Sequence, residues 1–188
     1  MTTHFSDPDR VDPRAVISFW RAAGPSRWFR KKPTFDAEVG RRLGGLHFWA
    51  AAGMLDHLVR TAEGALALII LLDQVPRNMF RGTARAFATD EHARDIARYA
   101  LSRGFDQRVS RTMRTCFYLP FMHSESESDQ ELCLALYRGL KDPDGLKYAE
   151  IHLDIIRRFG RFPHRNEALG RAASHAELLF LKEGGFAG

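Results

Sequence analysis

The sequence predicts an all-α fold in a single domain spanning residues 1–188, with an ordered core over about residues 12–184. Three observations carry this. Apolar residues recur at the helical spacings of three and four, and no stretch alternates strictly as a half-buried strand would. Helix punctuation repeats along the chain, with Asp, Thr or Ser ahead of a periodic run and Gly or Pro behind it. A composition of 45% hydrophobic and 27% charged residues suits one globular core and excludes a disordered chain. About seven to nine helices joined by short loops are expected.

In order, Asp12 stands as an N-cap with Pro13 at the first helical position. Val16, Phe19, Trp20 and Ala23 fall on one face, and Gly24-Pro25 ends that helix. A short aromatic connector follows. Thr34 is the N-cap candidate of the next helix, which carries Phe35, Val39, Leu43, Leu46 and Trp49. Gly44-Gly45 either breaks it or marks close packing. The run TAEGALALIILLDQ, residues 61–74, is apolar almost all round and predicts the central buried helix, ended by Pro76. Thr89 opens an amphipathic helix with acids in its first turn, which stops at Arg103-Gly104. FYLPFMHS, residues 117–124, is apolar and interrupted by Pro120. Ser128 and Glu131 have capping-box spacing, residues 144–160 form an amphipathic helix ending at Gly160, and Ser174 with Glu177 opens the last helix as a second capping box.

Composition bounds the function. The longest apolar run, residues 65–72, is far short of the roughly 20 residues that span a bilayer. The N-terminal stretch MTTHFSDPDRVDPRAV lacks the apolar core of a signal peptide. A cytoplasmic protein with no membrane partner is expected, its two cysteines, Cys116 and Cys133, reduced. The net charge is +5, and 23 of the 28 basic residues are Arg, a bias that a genome rich in G and C would also produce. Acids are interleaved with the Arg and no dense basic stripe forms, which argues against a nucleic-acid partner.

Two Pro-Arg-Asn breaks carry the candidate chemistry: DQVPRNMFRG at residues 73–82 and RFGRFPHRN at residues 158–166, each following an apolar helix. Asp73 shares a face with Leu66, Ile69 and Ile70, so its carboxylate needs a partner. Arg77 is the nearest, with Asn78 and Arg81 to complete the cage. His152 lies on an apolar face with Tyr148, Ile151, Ile155 and Ile156, and its helix runs on into Arg161, His164, Arg165 and Asn166. It is either a satisfied core histidine or a ligand or base. In HSESESDQE, residues 123–131, the acids suit a helix N-terminus. His123 and Glu125 have HxE spacing, which two residues alone cannot turn into a metal site. No metal and no cofactor are expected, because no metal-ligand, nucleotide-loop or nucleophile-elbow motif occurs. The loop RGTARAFATD, residues 81–90, is Arg-rich and could hold an anion at the start of the following helix. The candidate ligand-binding set is therefore Asp73, Arg77, Asn78, Arg81, His123, Glu125, His152, Arg161, His164, Arg165 and Asn166.

The strings RWFRKKPTFD, GALALIILLDQVPRNMFRGTARAFATD, FYLPFMHSE, HLDIIRRFGRFPHRN and AELLFLKEGGF together resemble the bacterial domain-of-unknown-function family nine-two-four, from about residue 14 to residue 186. The resemblance implies a TPR-like all-helical superhelix of antiparallel helix pairs and no particular reaction. Val75, Met79 and Met122 depart from that family's pattern, the last standing where an acid is common.

Three readings follow. The first is a helical protein that binds a small anionic ligand or a peptide, its Arg, His and Asn gripping the negative group. The second is a hydrolase with His123, His152 or His164 as acid or base and Arg77, Arg161 or Arg165 stabilising negative charge. The third is that these groups only fasten helix ends. The Trp-bearing N-terminal segments are compatible with a homo-oligomer.

Overall fold

The structure, a computed structural model, describes residues 7–187. The N-terminal stretch read for a signal peptide lies partly outside them. Every regular element among the described residues is helical, and no described helix is long and apolar enough to cross a membrane. The described residues divide into two compact units: residues 7–81 with 85–120, and residues 82–84 with 121–187.

In the first unit, α1 (Pro13–Ala23) starts as the sequence implied, the Asp12 side chain accepting the Arg14 N–H at 2.9 Å. Gly24 ends it at φ 75°, where a side chain would be strained. The connector is a short helix, α2 (Pro25–Trp28), pinned by Trp28 Nε1 donating to the Trp20 carbonyl at 2.7 Å while the two indoles stack. The next helix, α3 (Pro33–Ala51), opens two residues earlier than expected. Lys32 is its N-cap and Pro33 takes the first helical position, so Thr34 lies inside it. Gly44-Gly45 does not break it. A Cβ on Gly44 would sit 3.1 Å from Met79 Cε, so the glycine makes room for a neighbouring helix.

Pro76 does not end the central helix, which corrects the sequence expectation. Helix α4 (Ala62–Ile69) runs through a π turn (Ile70–Gln74) into α5 (Val75–Met79). The Val75 N–H donates to Ile70, five residues back, and Pro76 has no N–H to give. The carbonyls of Leu71 and Leu72 thereby lose their helical donors. Side chains replace them: His47 Nδ1 donates to the Leu71 carbonyl at 2.8 Å and the Thr89 hydroxyl to that of Leu72. The wide turn thus has a partner for each carbonyl it frees, as a buried backbone requires. Thr89 spends its hydroxyl there instead of on the first turn of α6 (Asp90–Ser102).

The rod of α4 and α5 is the hub of this unit, contacted by α1, α3 and α6, and Ala65 to Leu72 are all buried. At its start a Cβ on Gly64 would lie 1.9 Å from the Leu58 carbonyl oxygen, a backbone atom. Gly64→Ala is therefore expected to destabilise by about 1–3 kcal/mol, read as a lower urea midpoint. An unchanged midpoint would mean that the backbone at Leu58 yields freely.

Helix α7 (Arg111–Met122) keeps Pro120 inside it, so the proline does not interrupt the apolar stretch. In the second unit, α8 (Glu127–Leu140) and α9 (Pro143–Phe159) form a hairpin. Lys141 at φ 55° and Asp142, which caps the Gly145 N–H, make its turn. The expected Ser128–Glu131 capping box is absent. Ser126 is the N-cap, its hydroxyl shares a hydrogen bond with Ser128, and Glu131 reaches Arg157 at 2.7 Å instead. Gly160 ends α9 at φ 68°. The final helix, α10 (His175–Lys182), starts on the complete capping box of Ser174 and Glu177.

Candidate functional site

Asp73, Arg77, Asn78 and Arg81 lie in the first unit; the other seven candidates lie in the second. Asp73 is fully buried at the π turn. Arg77 Nη1 approaches its carboxylate at 3.1 Å and donates to its carbonyl at 2.8 Å, which bears out the i, i+4 pairing. The same guanidinium forks onto Asp90 at 2.8 and 2.9 Å, and Gln74 donates to the other Asp73 oxygen. Asn78 and Arg81 do not complete this cage. Five residues along a helix turn Asn78 well away from the Asp73 face, and Arg81 lies beyond the end of α5. Both hold Asp36 of α3, Asn78 at 2.7 Å and Arg81 at 2.8 and 3.0 Å. Burial alone would raise the pKa of Asp36; the bonds from Arg81 and Asn78 outweigh it and hold the carboxyl below its usual value. The start of α6, considered above for an anion, already carries the Asp90 carboxylate bound to Arg77. Burial, with Asp73 adding, pushes the Cys116 thiol up to about 12. Burial also raises Cys133, so both thiols are inert.

In the second unit Glu125 accepts two bonds from Arg171, at 2.7 and 3.0 Å, and one from the Phe162 N–H at 2.8 Å. Burial opposes its ionised form, and Arg171 more than compensates, lowering the pKa. Arg171 also donates to Asn166 Oδ1 at 3.0 Å. Arg161 forks onto Glu177 at 2.6 and 2.9 Å and reaches the Ala172 carbonyl, holding the Glu177 carboxyl far below the usual range. The sequence singled out Glu177 only as a capping acid and did not single out Arg171.

His152, His164 and Arg165 gather on an aromatic wall, and His123 lies beside Arg165. Arg165 donates to the His123 carbonyl at 2.9 Å and lies 4.5 Å over the Phe162 ring. The His152 ring meets Phe186 at 4.5 Å and Phe162 at 5.4 Å; His164 meets the same two rings at 5.6 and 5.5 Å. His152 Nδ1 lies 2.7 Å from the Tyr148 carbonyl, so it carries the proton. Burial pushes the His152 pKa down to about 3; the Tyr148 bond opposes this, and His123, His164 and Arg165 add to the fall. Among the described residues no group of three or more His, Cys, Asp and Glu is placed to hold a metal. Glu125, the acid of the HxE pair, is engaged by Arg171.

Residues 16–185 match the family described as "Bacterial protein of unknown function (DUF924)". The solved structure of a protein of unknown function from Agrobacterium tumefaciens is similar at 46% identity and a TM-score of 0.88, covering 92% of this chain and 97% of that one. No curated protein matches the chain.

Proposed function

We propose that this chain, which belongs to the DUF924 family of bacterial proteins, is a helical binding protein that receives the anionic group of a small ligand or peptide in its second unit. The receiving groups are His123, His164 and Arg165, with buried His152 behind them. One observation carries this reading: Arg165 donates to the His123 carbonyl and lies over the Phe162 ring, and His152 and His164 share that ring and Phe186, so the four groups come together at one place. A guanidinium and imidazoles beside apolar rings offer several N–H donors to one anionic group. A TPR-like stacking of helix pairs, of which the α8–α9 hairpin is one, belongs to the same reading.

The hydrolase alternative fares worse. A catalytic acid or base works best with a pKa near the operating pH, and His152 at about 3 is far below it. Two of the three arginines considered for stabilising negative charge, Arg77 and Arg161, are engaged by carboxylates.

Thermal melting with citrate, succinate and inorganic phosphate tests the proposal. An anion at a hundred times its dissociation constant adds about 2.7 kcal/mol, a rise of roughly 5–10 °C for a chain of this length. The rise should vanish in the His123→Gln/His164→Gln variant. No shift with any of the three anions, or a shift that survives in that variant, sinks the proposal.

A further inference from the structure

We infer that the first unit carries a separate site for the phosphate group of a small phosphorylated ligand, formed by Arg14, Arg21 and Arg108. Arg14, Ser18 and Arg21 follow one another on α1 at spacings of four and three, which places them on one helix face. Arg108 and Ser110 come from the segment ahead of α7, and Glu63 from the start of α4. Together they line a cleft of about 330 Å³, and the buried side chains of Ile17 and Leu66 supply its apolar part. That volume sits at the small end of ligand pockets, which run from about 300 to 1,000 Å³.

The pairing of the arginines sets this cleft apart. Arg77, Arg81, Arg161 and Arg171 each meet a carboxylate of the protein. A larger hollow in the same unit, about 450 Å³, holds two arginines, Arg27 and Arg42, and Glu38 is 3.1 Å from the Arg42 guanidinium. Among the described residues Arg14, Arg21 and Arg108 have no ion pair; Arg108 only packs over the Phe105 ring at 5.1 Å. Three guanidiniums against the one carboxylate of Glu63 leave the cleft positive.

The chemistry favours phosphate over carboxylate. A guanidinium is a planar fork of donors that fits two oxygens at once. A terminal phosphate offers three oxygens and up to two charges to three such forks, and a carboxylate offers two oxygens and one charge. The hydroxyls of Ser18 and Ser110 add donors at the rim. The size of the cleft admits a small ester rather than a nucleic-acid strand.

Calorimetric titration of the full chain at low salt with ribose 5-phosphate, ribose and inorganic phosphate tests this. Ribose 5-phosphate should bind and ribose should not. The Arg14→Ala/Arg21→Ala/Arg108→Ala variant should bind at least about a hundredfold more weakly, while Glu63→Gln should bind more tightly. All four residues are exposed, so the fold should tolerate the changes. Inorganic phosphate binding as tightly as the ester supports the site and makes free phosphate its occupant; a tighter ester supports a phosphorylated metabolite. Absence of binding by either, or undiminished binding in the triple variant, overturns the inference. The His123→Gln/His164→Gln variant should leave the affinity unchanged, so this site stands or falls separately from the one in the second unit.

Discussion

Arg77→Met is expected to cost about 3–5 kcal/mol of folding free energy. Arg77 stands between two carboxylates, fully buried Asp73 and buried Asp90, and it also donates to the Asp73 carbonyl. Methionine keeps much of the apolar stem and removes the guanidinium, so two buried carboxylates lose the cation they share. For a chain of this length each kcal/mol moves the melting temperature by roughly 2–4 °C, and the variant should melt around 10 °C lower. The loss should also depend on pH. A buried carboxylate that loses a neighbouring cation shifts toward its neutral form, so the folded variant takes up protons before the unfolded chain does. Its deficit should therefore shrink as the pH falls. Urea unfolding of both proteins at pH 7.5 and 5.5 reads this. A deficit under about 1 kcal/mol, equal at the two pH values, would show that Arg77 is not the counter-ion the geometry makes it.

The same clasp marks the boundary of what the sequence discloses. Asp73 with Arg77 was legible because the pair is four residues apart on a helix with a strong apolar period. Asp36 was not, because it meets Asn78 and Arg81 across 42 and 45 residues, and local spacing holds no trace of such a pairing. Caps read well where the side chain has one job, as at Asp12 and at Ser174 with Glu177. They misled where a serine or threonine had a competing partner, as at Thr89 and Ser128. Pro76 and Pro120 were read by the rule that proline stops a helix. At Pro76 the rule fails because the π turn is satisfied from outside by His47 and Thr89, which only the tertiary fold brings near. His152 and His164 lie twelve residues apart, and the turn after Gly160 brings both to the rings of Phe162 and Phe186. Arg14 and Arg21 drew no notice because exposed charge on a helix usually means a solvated face.

Lowering the pH from 6.5 to 4.5 is expected to remove about 2–3 kcal/mol of stability through His152 alone. In the unfolded chain this imidazole titrates near 6.5; in the fold its pKa is about 3, chiefly because burial disfavours the charged ring. Above pH 6.5 both states hold it neutral and it contributes no slope. Below pH 6.5 the unfolded chain binds a proton that the folded chain refuses, so stability falls by about 1.4 kcal/mol per pH unit until the folded pKa is reached. His47, whose pKa burial also lowers, adds to the same slope. The carboxylates of Asp36 and Glu125 act in a lower window. Their folded pKa values are depressed, so their contribution is present above the unfolded value near 4 and is lost only as the pH falls below it. Urea unfolding at pH 7.5, 6.5, 5.5 and 4.5 therefore isolates the imidazoles. His152→Gln, which keeps a side-chain donor but cannot take up a proton, should flatten most of the slope, and His47→Gln part of the rest. A flat wild-type profile, or a slope that both variants retain, would show that burial does not keep the proton off His152 in the fold. The proposed anion site adds one further condition. An anion among His123, His164 and Arg165 supplies the charge that His152 lacks, so protein saturated with its ligand should lose less stability per pH unit than protein without it.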